Sequence, residues 1–235
     1  MKSDYNALTI GKIVARDYRK AMVFKSFGLD FCCGGNIKLE TAAAENNLNL
    51  NEVIEALEKV DDSTTDITSD FNSWPLPQLI DHIVDKHHNY VESTITQLMP
   101  LVEKVTMVHG DWRPELKEVK ELFIALSQEL TAHMKKEELI LFPAIKKLVA
   151  GYESEGSTCF GSVSNPINMM EHEHDIAGDL MKKINLLTDG YTLPKGACAT
   201  YTVVYKVLNE FEEDLFRHIH LENNILFPKA IELEG

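Results

Sequence analysis

The sequence has few of the features that mark secreted or membrane-spanning proteins. Its 235 residues include only four cysteines, and no two of them form a CxxC pair. A zinc site of the common structural type is therefore not expected. No segment approaches the ~20 apolar residues that a membrane-spanning helix needs, and the N-terminus lacks the charged and apolar stretch of a secretory signal. We expect a cytoplasmic protein with no membrane partner.

Positive charge is also scarce. The chain has 23 lysines and arginines against 37 acidic residues, which gives a formal net charge of −14. Nucleic-acid binding needs a basic surface, because cationic side chains must displace the counterions of the phosphates. The charge balance therefore excludes nucleic acid as an expected partner.

Alternating strand patterns of useful length are absent as well, and helical periodicity is found in two blocks separated by a polar stretch. The predicted fold class is all-α, with a small N-terminal helical domain followed by a four-helix bundle. We place the first domain at residues 1–62, the linker at 63–74 and the bundle at 75–235. The linker is rich in Asp, Ser and Thr, which favour turns. Helical patterns in the first domain cover Ile10–Lys25, Leu39–Glu45 and Leu50–Val60.

The second block contains four long helical patterns joined by short or moderate connections, which is typical of a four-helix bundle. A proline inside the first of them predicts a kink or break at Pro100. The four patterns are Pro75–Val108, Asp111 to the Phe142-Pro143 stop, Asn165-Pro166 to Asp189-Gly190, and Ala197 to Phe227-Pro228.

An internal repeat relates the two halves of this block. The pattern H-x3-E-x4-F-P occurs at His133–Pro143 and again at His218–Pro228. Two helix pairs related in this way place equivalent positions on opposite sides of one bundle axis. The repeat therefore predicts a site that both halves share.

In each long helical pattern, apolar residues recur every three or four positions and form a stripe along one face of the helix. Polar residues of the repeat occupy positions on this stripe. His133 and Glu137 continue the apolar stripe of the second long helix, and His218 and Glu222 do so in the fourth. His174 falls on the stripe of the third. A buried, unpaired carboxylate costs several kcal/mol, and a metal ion is the simplest partner for all five groups.

A ligand set of imidazoles and carboxylates suits iron, with manganese and zinc as competitors. A single core histidine is more often a hydrogen-bonded one, but the duplicated pair with a fifth residue between favours a metal site. We therefore predict a dinuclear centre in which histidines bind each metal and the two glutamates bridge both.

The first long helix should supply a further histidine, and here periodicity leaves two alternatives. One apolar stripe includes His87, and an equally apolar one includes His88. The other histidines fall off the stripes and are expected to be solvated: His82, His109, His172 and His220.

Several motifs together resemble a known family. They run in order along almost the whole chain: Leu29–Gly35 with its Cys32-Cys33 pair, Ile80–Val84 with His87-His88, His133–Pro143, Met170–Gly178 and His218–Pro228. This set resembles the repair-of-iron-centres family, which comprises di-iron proteins of the hemerythrin-like superfamily.

The resemblance implies a complete ligand set. It selects His88, the residue six after the histidine of the D-H-I motif, and it implies two non-haem irons per chain. The implied metal ligands are His88, His133, Glu137, His174, His218 and Glu222. An oxygen-carrying hemerythrin would add a fifth histidine and an aspartate, and that set is not evident in this sequence.

The resemblance also implies a function, namely the repair of iron–sulfur clusters damaged by nitrosative or oxidative stress, by donation of iron. Damaged iron–sulfur proteins are then the expected partners, and a homodimer is considered. Alternatives are a nitric oxide-reducing enzyme and a sensor that binds O2 or nitric oxide. Cys32 and Cys33 cannot form an unstrained disulfide of the usual geometry, and they are considered as a thiol relay for metal or as packing residues. Cys159 and Cys198 have no expected role.

Overall fold

The computed structural model describes residues 5–61, 70–151 and 161–235. Within these ranges the only strand-like pairing is an isolated bridge between Thr9 and Lys38, and the ordered elements are helices. The all-α prediction is confirmed. Two compact units are formed, one by the described residues up to Leu79 together with Ile219–Gly235, and the other by Ile80–His218. None of the helices in the described ranges has the length and apolarity to cross a bilayer.

The described residues 5–61 of the first unit include four short α-helices. They are α1 (Ile10–Arg16), α2 (Ala21–Ser26), α3 (Leu39–Glu45) and α4 (Leu50–Asp61). The expected single helix from Ile10 to Lys25 is wrong, because it is interrupted at Asp17. This residue has an extended backbone (φ −155°, ψ 100°), and its carboxylate accepts a hydrogen bond from the Arg19 amide at 3.1 Å. Short acidic side chains compete with helical hydrogen bonding in this way.

Residues 63–69 of the predicted linker lie outside the described residues. The part that is described forms a short 3-10 helix, Phe71–Ser73. Phe71 is buried and its ring contacts that of Trp74 with a centroid distance of 4.8 Å. Asn72 donates from its side-chain amide to the carbonyl of Ala15 at 2.6 Å. Residues 71–74 are therefore packed onto the first unit.

The remaining helices belong to four long helical stretches. Three of these contain a π-helical segment that joins two α-helices without interruption: Ile83–His88, Glu137–Leu141 and Glu222–Leu226. The α-helices are α5 (Leu76–His82), α6 (Asn89–His109), α7 (Glu115–Lys136), α8 (Phe142–Val149), α9 (Ser164–Leu187), α10 (Ala199–Leu221) and α11 (Phe227–Glu234).

Proline accounts for two of the π segments. Pro143 and Pro228 have no N–H, so neither can donate the α-helical hydrogen bond to the carbonyl four residues earlier. In both places a wider π turn precedes the proline and the helix continues. The expectation that Phe142-Pro143 and Phe227-Pro228 end their helices is therefore wrong. Pro100 lies inside α6, so the helix does not break there, and the kink stays a prediction.

The bundle core of the second unit follows the predicted stripes. On α7 the buried apolar residues recur every three or four positions, and α9 and α10 show the same spacing. Phe123 of α7 and Phe211 of α10 meet edge to face at a centroid distance of 6.0 Å. The buried residues on these stripes are Leu116, Val119, Phe123, Leu126, Leu130, Ile167, Met170, Ala177, Met181, Ile184, Tyr201, Val204, Leu208, Phe211 and Leu215.

The end of the last long helix belongs to the first unit, and this changes the environment of His220. Its side chain is 1% exposed and lies between the rings of Tyr18 (5.7 Å) and Phe31 (5.9 Å). The expectation that His220 is solvated is wrong, because Tyr18 and Phe31, from the segments that connect the N-terminal helices, cover its ring. His172, by contrast, is exposed, as expected.

Candidate metal centre

Four histidine side chains in the bundle point their Nε2 atoms at one another. The Nε2 atoms of His88 and His218 are 3.2 Å apart, and those of His133 and His174 are 3.0 Å apart. Each of the four side chains is at most 3% exposed. Four different helical stretches supply them, so the site depends on the bundle as a whole.

Glu137 lies between the two histidine pairs. Its Oε2 atom is 3.3 Å from Nε2 of His88 and 3.2 Å from Nε2 of His133, and the side chain is completely buried. His88, Glu137 and His218 offer ligand atoms within 4.8 Å of one another, and so do His133, Glu137 and His174. One carboxylate therefore reaches both groups.

These separations fit metal ligands. Two nitrogens bound about 2.1 Å from one ion at right angles lie about 3.0 Å apart. A completely buried carboxylate among imidazoles also needs positive charge to offset its desolvation. The donor set and its geometry therefore fit a pair of metal ions that share Glu137.

Glu222 is the second predicted bridging residue. It is completely buried and follows His218 by four residues in the same uninterrupted helix. Residues at this spacing share one face of a helix. Glu222 begins a π segment just as Glu137 does, and His88 ends one. Wider turns of this kind occur often at functional sites.

Two further carboxylates orient the histidines, and sequence analysis missed both. Nδ1 of His88 contacts Oε1 of Glu138 at 2.7 Å, and Nδ1 of His133 contacts Oε2 of Glu173 at 3.0 Å. When Nδ1 donates its hydrogen to a carboxylate, Nε2 is left with the lone pair that binds a metal. Each of these glutamates directly neighbours a predicted ligand in sequence, and that is the only signal that could have indicated them.

Glu173 is held more firmly than Glu138. It also accepts a hydrogen bond from Lys136, and its side chain is 14% exposed against 42% for Glu138. The hydrogen bond from His133, with that from Lys136, lowers the pKa of Glu173 to about 2. Glu173 therefore remains a carboxylate that can accept the Nδ1 hydrogen of His133.

His87, the alternative to His88, lies beside these groups and belongs to neither of them. Its Nδ1 atom contacts Oδ1 of Asp214 at 2.9 Å, and its ring stacks on that of His218 at 5.6 Å. It is 4% exposed, and within the described ranges its Nε2 has no hydrogen-bond partner. The structure thus directs the His88 nitrogen into the cluster and the His87 ring against its edge.

None of the described cysteines belongs to the two histidine groups. Cys32 is buried, Cys33 is half-buried, and neither is in a disulfide. The exposed Cys198 lies 3.3 Å from Nε2 of His109, and the amide of Tyr201 and this histidine lower its pKa to about 7. Cys159 lies outside the described residues.

A helical bundle with buried histidines that converge on a shared glutamate defines a hemerythrin-like metal-binding protein. The comparisons agree. Residues 79–230 match the family model described as the Hemerythrin HHE cation binding domain, and residues 7–61 match a domain of unknown function, DUF542.

Curated relatives extend over nearly the whole chain. The iron-sulfur cluster repair protein YtfE of Edwardsiella ictaluri is 37% identical over 227 residues, which are 97% of this chain and 98% of that protein. YtfE of Pectobacterium carotovorum is 36% identical over 98% of this chain and 99% of its own. A probable iron-sulfur cluster repair protein of Haemophilus influenzae is 40% identical over 89% and 90%. The chain belongs to this family of hemerythrin-domain proteins, and the resemblance seen in the sequence is confirmed.

Proposed function

We propose that the chain binds two iron ions. His88 and His218 hold one ion, His133 and His174 hold the other, and Glu137 and Glu222 bridge them. The support for Glu137 is its distance to both histidine pairs, and the support for Glu222 is its burial and its position one turn after His218. Bound there, the ions supply positive charge and exchangeable metal–ligand bonds.

We propose further that this iron is cargo, delivered to iron–sulfur clusters damaged by nitrosative or oxidative stress. The observation that carries this proposal is the convergence of four histidine nitrogens on Glu137. It is supported by the curated relatives, which are named iron-sulfur cluster repair proteins. Imidazole and carboxylate are harder ligands than the sulfides and thiolates of a cluster, so a soft acceptor can draw iron away. Damaged iron–sulfur proteins are the proposed partners, and the proposed location is the cytoplasm, where thiols stay reduced.

Iron transfer is the direct test of this proposal. Under anaerobic conditions the iron-loaded protein should restore the activity of an enzyme whose cluster nitric oxide has damaged. An equal amount of iron salt with a chelator present should restore much less. No restoration above that control would contradict the proposal. Conversion of nitric oxide to nitrous oxide would indicate a reductase, and gas binding without either activity would indicate a sensor.

The carboxylate behind His133 gives a second test. A Glu173→Gln change leaves a group that can still accept from His133 but removes the charge that favours its Nδ1 hydrogen. Mutation of a residue that hydrogen-bonds to a metal ligand typically lowers metal affinity by about 10–100-fold. We expect a loss of iron affinity in that range, measured by competition with a chelator. The matched control is Asp175→Asn, an exposed site on the same helix. Equal affinity of the two variants would exclude a role of Glu173 in orienting His133.

The remaining assignments stay proposals of the same kind. We propose that residues 1–62 act as a module distinct in role from the bundle of residues 75–235, and that Cys32 and Cys33 act as a thiol relay.

A further inference from the structure

A second cluster of potential ligands lies in the loop after α2. Asp30 Oδ1 accepts hydrogen bonds from the backbone amides of Cys32 and Cys33, each at 3.0 Å, and from the Cys32 thiol at 3.2 Å. The two Sγ atoms are 3.9 Å apart. One atom from each of the three side chains lies within 4.8 Å of the others.

The distance between the sulfurs distinguishes two chemistries. A disulfide requires the sulfurs to be about 2.05 Å apart, far less than the observed 3.9 Å. Two sulfurs bound about 2.3 Å from one tetrahedral ion lie about 3.8 Å apart. A carboxylate oxygen on the same ion would lie about 3.6 Å from each sulfur. The loop therefore holds its two thiols at the separation that one ion requires. The Asp30 oxygen is 3.2 Å from the Cys32 sulfur, a few tenths of an ångström shorter than that ion would set.

The last long helix holds this loop in place. Asn224 donates from its side-chain amide to the carbonyls of Phe31 (3.3 Å) and Cys32 (3.2 Å), and Asn223 donates to the latter at 3.4 Å. Because its backbone carbonyls are hydrogen-bonded, the loop is organised before any ligand arrives, which reduces the entropy that binding must overcome.

Two glycines allow this close contact. A Cβ atom at Gly11 would lie 1.8 Å from Oδ1 of Asn224, and one at Gly35 would lie 2.4 Å from it. The side chain of Asn224 thus lies between the backbone at Gly11 and the backbone at Gly35, and neither of these two positions has room for a residue with a Cβ atom. Asn223 and Asn224 belong to the π segment that begins at Glu222, so the loop is anchored on the same helical turn as a proposed iron ligand.

We propose that Asp30, Cys32 and Cys33 form a second metal site, which binds one thiophilic divalent cation such as Fe²⁺, Zn²⁺ or Co²⁺. Binding forms two metal–sulfur bonds and one metal–oxygen bond and releases the two thiol protons to solvent. Three protein ligands leave the fourth tetrahedral position open. Catalytic zinc sites share this arrangement, whereas structural zinc sites have four protein ligands and no open position. Such a site can receive a cation and pass it to an incoming thiolate. The assignment does not depend on the iron-donation proposal.

Cobalt provides the probe, because Co²⁺ bound by thiolates gives an intense charge-transfer absorption that histidine and carboxylate ligands do not give. The full-length chain with Cys159→Ser and Cys198→Ser keeps Cys32 and Cys33 as its only thiols. Titrated anaerobically with Co²⁺, it should develop this absorption to a final amplitude that corresponds to one thiolate-bound ion per chain, in addition to any Co²⁺ that the histidines bind. Adding Cys32→Ser or Cys33→Ser should remove most of it, while circular dichroism stays unchanged.

Asp30→Asn separates the ligand role of the carboxylate from its structural role. An asparagine oxygen can still accept from the amides of Cys32 and Cys33, so the loop keeps its shape. Loss of a charged ligand should weaken Co²⁺ binding at least as much as loss of an outer partner, about tenfold or more. No thiolate absorption in the two-thiol chain would overturn the site, and equal affinity of Asp30→Asn would overturn the three-ligand assignment. Neither result involves iron transfer. The Co²⁺ titration therefore tests the second site alone, and the iron-transfer assay tests the repair proposal.

Discussion

Replacing Glu137 by leucine is expected to leave a folded bundle that no longer holds two metal ions. The carboxylate lies within 3.3 Å of nitrogens from both histidine pairs, so its loss removes a shared ligand from each metal position. Iron content, measured after anaerobic loading and removal of loose metal, should fall from two ions per chain to one or none. The spectroscopic signature of a bridged pair should disappear with it.

The stability of the metal-free forms gives this prediction an independent check. Without metal, the parent chain buries an ionisable carboxylate at large cost in solvation. Replacement of buried charged groups by apolar ones is often neutral or stabilising, so the metal-free variant should melt no lower than the metal-free parent. The matched control is Glu129→Leu, an exposed glutamate on the same helix, which should retain both ions. A Glu137→Leu chain that still binds two irons with an unchanged bridge would exclude Glu137.

The second large effect is expected from His88→Gln, with His87→Gln as its matched control. His88 directs Nε2 to within 3.2 Å of the His218 nitrogen, whereas His87 contacts Asp214 and stacks on the edge of the site. Losing a direct ligand should weaken binding of one ion by more than the roughly 10–100-fold typical of outer partners. The control should keep two ions, with its effect confined to thermal stability.

Stepwise metal titration of both variants distinguishes the outcomes. His88→Gln should show one strong and one weak equivalent, and His87→Gln should show two strong ones. The reverse pattern, with the site emptied only by His87→Gln, would mean that the side-chain placement and the family resemblance both selected the wrong histidine.

Periodicity failed to separate these two histidines for a physical reason. They end a π segment, Ile83–His88, in which each turn contains more residues than an α-helical turn. A stripe extrapolated at α-helical spacing through such a segment changes face. The buried residues on either side indeed come from both candidate stripes. Before the segment, Ile80 lies two helical turns from His87, and after it Val102 lies four turns from His88.

Other parts of the site were predictable because they obey local rules. His133, His174 and His218 continue apolar stripes within α-helices, and Glu137 follows the stripe of α7 at the start of its π segment. The structure buries all four as those stripes require. The carboxylates of Glu138 and Glu173 could not be predicted in this way, because they are partly exposed and their role depends on which helix lies opposite. The burial of His220 was missed for the same reason, since the covering residues Tyr18 and Phe31 come from distant sequence.

The fold shows the same division between local and distant information. The existence and order of the helices follow from composition and periodicity. Local chemistry also sets the start of α4, where Oδ1 of Asn49 accepts a hydrogen bond from the Asn51 amide at 3.1 Å, as asparagine commonly does before a helix. The packing of the helix end Ile219–Gly235 in one unit with the N-terminal helices was not predicted. Helical periodicity reports which face is buried, but it does not report which distant segment covers it.

The central claim is that the chain binds two irons as a bridged pair. Mössbauer spectroscopy of the full-length chain, loaded anaerobically with isotopically enriched iron and then oxidised, tests it most directly when combined with a metal count. We expect two irons per chain and a diamagnetic ground state at low temperature, which arises when a bridge couples two ferric ions antiferromagnetically. A single iron per chain, or two irons with the magnetic splitting of isolated ferric ions, would contradict the account.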